Sequence, residues 1–276
     1  MKRRNFIRQG TLGSATALLM PSFGFATTRT QAYGVQLYTF RDAMAHDALG
    51  TLEQIAALGI TEIESARSAK GHYYGLSPQA MQKACGDLGM TLISGHVHLD
   101  DQFEQTMAEA AQAGQPYLIC SSLPSQGQTV DNYKRVADAF NSAGEACKAM
   151  GLKFGYHNHE YEFENHQGTV LYDVLMDHTD AELVHMELDL GWVIVAGLDP
   201  LDYFKKYPGR FPLWHLKDMD LIKKESTEFG RGGLDIKEML THKETAGAQH
   251  IFIEQEEYTD NPLDSMAHNM KYLNNL

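Results

Sequence analysis

Short apolar runs alternate along this chain with longer segments whose apolar residues recur every three or four positions. Residues 34–39 (GVQLYT) form the first such run, and 47–58 (DALGTLEQIAAL) the first periodic segment, closed by Gly59. A run of that length reads as a strand, and the segment after it as an amphipathic helix with a glycine stop. The unit then repeats. Strands are expected at 60–65, 91–96, 117–121, 152–157, 184–189, 212–216 and 250–254. Helices are expected at 77–88, 101–113, 130–150, 170–177, 199–206, 235–246 and 262–273, the second of the eight opened by Ser77-Pro78, a cap followed by proline at the first helical position.

Eight strands and eight helices in strict alternation imply a parallel sheet covered by helices, and eight repeats in 276 residues let that sheet close. The expected fold is therefore α/β, a single-domain (β/α)8 barrel over residues 27–276. A doubly wound open sheet is the competing arrangement, but no GxGxxG follows the first strand and no GxxxxGK[ST] occurs in the chain.

Residues 1–26 break the pattern. They carry Lys2, Arg3, Arg4 and Arg8, no acid, a mildly apolar stretch over 10–20, and a small-residue end at Gly24-Phe25-Ala26. This reads as a signal peptide, and Arg3-Arg4 before Asn5-Phe6-Ile7 resembles a twin-arginine export signal. The expectation is a periplasmic protein that folds, and acquires any metal, before export. The apolar stretch is too short to span a bilayer, so no membrane anchor is expected.

The formal charge of -13 comes from 23 basic and 36 acidic residues. Without the leader, 19 basic residues remain against the same 36 acids, or -17. Such a surface repels phosphate backbones and anionic lipid, which argues against nucleic acid and membrane partners. Cys85, Cys120 and Cys147 lie in apolar or helical contexts without metal-binding spacing, and are expected as small buried hydrophobes.

In a parallel barrel the chemistry gathers where the strands end. Strands five to eight finish on His157 in FGYHNHEYEF, Asp189 in MELDLGW, His215 in LWHLKD and Glu254 in IFIEQEEY. Two imidazoles and two carboxylates suit a divalent ion, Mn, Co, Mg, Fe or Zn, and suit Cu(I) poorly. Such an ion holds two sugar oxygens and polarises a carbonyl, as enolisation or elimination requires. Taken one at a time, each residue is more often a hydrogen-bonded loop entry; four on successive strands shift the balance.

GVQLYTFR, YHNHEYEF, ELDLGWVIVAGLDP, KYPGRFPLWHLKD and IFIEQ resemble the sugar phosphate isomerase/epimerase family of xylose-isomerase-like TIM barrels, the superfamily of inosose dehydratase and tagatose 3-epimerase. The resemblance runs over the whole mature chain. It implies a divalent metal held by Glu, Asp, His and Glu on the later strands, and proton transfer next to a carbonyl. Asp189, His215 and Glu254 match the last three positions, whereas His157 stands where many relatives have Glu. Relatives that epimerise exchange protons between two carboxylates on opposite faces of the sugar. Losing one weakens simple 3-epimerisation and favours an elimination, hydration or isomerisation that needs one base and one acid, with Glu254 and His157 as the candidates. The substrate class implied is a neutral sugar, cyclitol or keto-glycoside.

Lys217, one alternation beyond His215, is a candidate for stabilising an enolate. Gln36, His96, His159, Glu187, Trp192 and Arg231 are candidates for lining the substrate pocket, with Arg231 in the glycine-rich FGRGG loop. Glu187 shares a strand face with Asp189, and the bland reading makes it the group that orients a ligand histidine. Trp192, Trp214, Tyr38 and Phe40 offer faces for sugar stacking, although core packing is the commoner use. Two other readings stand beside the enzyme: a metal-assisted phosphoesterase, which would want a basic groove this chain lacks, and a periplasmic sugar-binding barrel without catalysis. Self-association into a homo-oligomer is left open.

Overall fold

The computed structural model describes residues 32–276. The expected leader lies outside the described residues. Among the described residues eight parallel strands close a barrel: β1 (Gly34–Gln36), β2 (Glu62–Ser65), β3 (Thr91–Val97), β4 (Tyr117–Cys120), β5 (Lys153–His157), β6 (Val184–Asp189), β7 (Leu213–Leu216) and β8 (His250–Ile253). Each strand pairs with its sequence neighbours, and β8 returns to β1 through Gly34 opposite Phe252 and Val35 opposite Ile253. The helices that carry the chain back are α1 (Ala48–Ala57), α2 (Pro78–Asp87), α3 (Phe103–Ala113), α4 (Val130–Ala149), α5 (Leu171–His178), α6 (Pro200–Lys206), α7 (Ile236–Thr241) and α8 (Pro262–Leu273). The single (β/α)8 barrel expected from the alternation is the fold observed.

Local chemistry sets the boundaries. Ser77, Asp199 and Asn261 each cap a helix whose first residue is proline, their side chains accepting hydrogen bonds from the Ala80, Leu201 and Leu263 amides. The first strand is shorter than its apolar run. The Gln36 side-chain oxygen accepts the Tyr38 amide at 2.9 Å, which turns residues 37–40 into a 3-10 turn leading into a helix over Arg41–His46. The helix expected over 235–246 is broken at His242, with a separate turn over Lys243–Ala246. Two hairpins were not foreseen, one pairing Asn165–His166 with Thr169–Val170, the other Asp218–Asp220 with Glu225–Thr227.

Alternation places one set of strand residues against the helices and the other inside the barrel. The outer set joins a continuous core with helix residues such as Met81, Phe140 and Phe204, and all three cysteines are free and buried, two within helices and Cys120 on β4. The inner set forms a separate plug of Ile93, Tyr117, Ile119, Leu213 and Phe252. Glycines make room for it. A Cβ on Gly34 would lie 2.4 Å from the Phe252 ring, and one on Gly155 would lie 2.4 Å from the His185 carbonyl and 2.5 Å from Ile119. Because the carbonyl belongs to the neighbouring strand, it cannot yield as a side-chain tip does. Gly155→Ala is expected to cost about 2 kcal/mol of stability, read from urea unfolding; an unchanged midpoint would show that β5 and β6 can spread.

Candidate active site

Above the apolar plug, at the strands' C-terminal ends, the inward positions turn polar and stay buried. Gln36, Glu64, His96, His157, Glu187, Asp189, His215, Lys217 and Glu254 are each at most 9% exposed. Together they floor a cavity of about 240 Å³ that His96, His157, His159, Trp192, Lys217 and Glu254 line directly.

Asp189 shows how backbone and function are joined. Its Oδ1 caps the short helix Leu190–Val195 by accepting the Trp192 amide at 2.9 Å, and its own amide donates to Asn158 Oδ1 at 3.0 Å. Oδ2 is thereby left facing inward, 3.3 Å from His157 Nε2 and 3.1 Å from Lys217 Nζ. Lys217 Nζ also donates to Glu254 Oε2 at 2.7 Å and Glu256 Oε1 at 2.9 Å, and sits 4.9 Å from the centre of the Trp192 ring. Burial would discharge this ammonium, but Asp189 and Glu254 outweigh it and hold the lysine well above its ordinary pKa. The same contacts keep Asp189 and Glu254 ionised against their own burial.

His215 lies at the centre. Nδ1 is 2.9 Å from Glu254 Oε2 and 3.7 Å from Asp189 Oδ2, while Nε2 is 2.6 Å from Glu64 Oε1. Burial opposes a charge on this ring, yet the carboxyls around it, Glu187 and Glu254 foremost, raise its pKa well above normal. Glu64 and Glu187 form a close carboxyl pair beneath it. Burial and the neighbouring Glu64 charge push Glu187 up, whereas His96 and the hydrogen bond from His215 hold Glu64 down against its burial. The pair therefore carries one negative charge and one proton. Gln36 donates to Glu64 at 2.8 Å, and His96 Nε2 lies 2.9 Å from Glu187 Oε2.

Burial pushes the remaining imidazoles toward the neutral form. Burial lowers His157 well below its ordinary pKa, the nearby His215 adding to the effect, and lowers His159 to about 4. His96 is lowered as well, again chiefly by burial. The rings of His96, His157 and His215 pack with centroids 4.4–5.1 Å apart. Glu162 steadies the turn behind them by accepting the Tyr156 hydroxyl and, at 2.8 Å, the His159 amide.

The ligand-capable atoms of His157, Asp189, His215 and Glu254 all lie within 4.8 Å of one another. Two carboxylate oxygens and two imidazole nitrogens at that spacing, with Asp189 already oriented from behind, fit a divalent ion. The proton on His215 Nδ1 would leave when the metal arrives. Glu64, opposite the other nitrogen, is then the group that fixes the ring and raises its basicity. Glu64→Gln is expected to weaken divalent-metal affinity about 10- to 100-fold while the protein stays folded, as equilibrium dialysis would show; unchanged affinity would mean that His215 is not a ligand.

Not every residue expected at the mouth is there. Arg231 pairs with Glu228 at 2.9 Å and Thr259 at 3.3 Å and lines a different cavity, because three loop amides, those of Gly230, Gly232 and Leu234, fold onto the Asp218 carboxylate. Asp218 is thus a loop anchor. Gln36 and Glu187 lie below the cavity, and Trp214 and Phe40 are buried in the outer core. Sequence reasoning missed Glu64 and Glu256. Glu256 follows Glu254 by two on the same face, and Ser226 of the second hairpin accepts its amide at 2.7 Å.

Comparison with known proteins agrees with the fold. The profile of the family described as xylose isomerase-like TIM barrel matches residues 52–276. An inosose dehydratase from Clostridium perfringens is 29% identical over 168 residues, covering 52% of this chain and 54% of the relative. Another from the same species is 37% identical over 103 residues, covering 36% of this chain and 31% of the relative. The chain thus spans between a third and about half of the length of these curated relatives. A crystal structure of a sugar phosphate isomerase/epimerase from Parabacteroides distasonis superposes with a TM-score of 0.79 at 27% identity, covering 89% of this chain and 98% of that one.

Proposed function

Because the chain belongs to the xylose isomerase-like TIM barrel family, we propose that it is an enzyme using a divalent metal to move a proton at a carbon next to the carbonyl of a neutral sugar, cyclitol or keto-glycoside. The observation that carries the reading is the pairing, in one small cavity, of imidazoles kept neutral by burial with an ammonium kept charged by carboxylates. The imidazoles come from β3 and β5 and the turn after it, the ammonium from just past β7, and the carboxylates from the end of β6 and just past β8.

The division of labour follows from the charges. A neutral imidazole accepts a proton, and His159, which is not among the residues that would hold the metal, is held in that form at the cavity wall. Lys217, fixed by Asp189, Glu254 and Glu256, presents a positive charge where an enolate oxygen develops, at no cost of reorganisation. Glu254 borders the cavity on a different side, just past β8, where its ionised carboxylate takes up a proton from one carbon and returns it to the next. His157, Asp189, His215 and Glu254 would hold the metal, which supplies a Lewis acid for the substrate's oxygens. Trp192 gives the sugar an apolar face.

Elimination is the second reading, favoured by His157 in place of a first carboxylate. With one carboxylate and one set of imidazoles, a proton leaves one carbon while an oxygen departs from its neighbour, as the name inosose dehydratase borne by two relatives describes for those proteins. The absence of an unpaired cation at the cavity among the described residues supports a neutral substrate: Lys217 is triply engaged, and Arg67 pairs with Asp100 at 2.5 Å. We place the reaction in the periplasm on the basis of the leader, which N-terminal sequencing of exported protein would test.

The test of the activity is incubation of metal-loaded protein with candidate ketoses, inososes and keto-glycosides in D₂O. Solvent deuterium on a carbon adjacent to the carbonyl is the expected result. Saturable binding without exchange would instead identify a sugar-binding protein.

A further inference from the structure

A second cavity, of about 450 Å³, adjoins the first and shares Arg67 with it. It is walled by the turn after β2, with Ser68 and His72, and by one side of α3, with Gln105 and Glu109, and Gln102 just before it. The Arg67–Asp100 ion pair stands at the junction. His98 lines the first cavity and His72 the second, and the charges of Arg67 and Asp100 act on both rings.

The sizes differ in a way that bears on the ligand. The first cavity is smaller than the roughly 300–1,000 Å³ usual for small-molecule sites, whereas the second falls within that range. Its lining is hydroxyl, amide, carboxylate and imidazole, with its one cation already paired. His72 lines this cavity with its ring, while its Nε2 is buried away from solvent. The groups are those that bind uncharged hydroxyls, with nothing left over to neutralise a phosphate or carboxylate.

We infer that the second cavity is the subsite for the second unit of a two-ring neutral carbohydrate, whose reacting ring occupies the first cavity and whose linkage passes Arg67. The inference rests on the proposed placement of a sugar ring at the barrel mouth, and it selects glycosides from the substrates named above. Arg67 and Asp100 then set the linkage between the rings, and Ser68, Gln105 and Glu109 receive the distal hydroxyls.

Calorimetric titration of the intact metal-loaded protein with maltose, cellobiose, trehalose and lactose, against glucose and galactose, tests it. At least one disaccharide is expected to bind ten times more tightly than its constituent hexoses. Gln105→Trp, on the exposed face of α3 where the fold is indifferent to size, should erase that advantage and leave hexose affinity unchanged. No disaccharide advantage in the natural protein, or an advantage that survives Gln105→Trp, overturns the subsite. Binding is independent of turnover, so disaccharide preference without deuterium exchange would support the subsite while refuting the proton-transfer reading.

Discussion

Asp189→Asn is expected to give a folded protein that retains no stoichiometric divalent metal and exchanges solvent deuterium into its substrate on the order of a thousandfold more slowly. The substitution is chosen for what it keeps. An asparagine oxygen can still accept the Trp192 amide and cap the helix Leu190–Val195, so the turn after β6 survives. What disappears is the anionic Oδ2, the atom that faces His157 and Lys217. Metal analysis and exchange rate should fall together. Full activity would detach catalysis from this cluster, and retained metal with lost activity would move the ion to the deeper group formed by Glu64, His96, Glu187 and His215.

Lys217→Met is expected to act on stability and activity separately. The methionine follows the lysine's course as far as Cε but leaves Asp189, Glu254 and Glu256 facing one another with no ammonium between them. Breaking a buried pair in this way costs about 3–5 kcal/mol in protein stripped of metal. Saturating Mn²⁺ should recover much of that loss, because a divalent ion satisfies the same carboxylates and stabilises the state it binds. Activity should stay down about 100- to 1,000-fold even with metal present, since the positive charge opposite the enolate is gone. Urea unfolding with and without Mn²⁺, beside the exchange assay, separates the two effects. Equal stability of variant and parent in the metal-free state would mean that the three carboxylates are not ionised together.

The barrel was legible in the sequence because each repeat states its own boundaries: an apolar run, a capping residue, a periodic segment, a glycine. Inward-facing chemistry was most legible where it sat at or near the end of one of the later strands. Glu64 belongs to EIES, whose alternating carboxylates resemble the wet face of an open strand; once the sheet closes, that face is the lumen, and Glu64 is fully buried beside Gln36 and His215. The helix Leu190–Val195 was equally hidden, since its LGWVIV reads as β-branched strand until Asp189 caps it. Arg231 misled for the opposite reason. A cationic residue in a glycine-rich loop suggests a ligand contact, but long-range bonds to Asp218 direct that loop away from the mouth.

The most direct test is an anomalous difference map from crystals of the protein loaded with Mn²⁺. One strong peak is predicted among Asp189 Oδ2, His215 Nδ1 and Glu254 Oε2, with His157 beside it. A map without a peak there, or with its peak elsewhere in the barrel, would contradict the account.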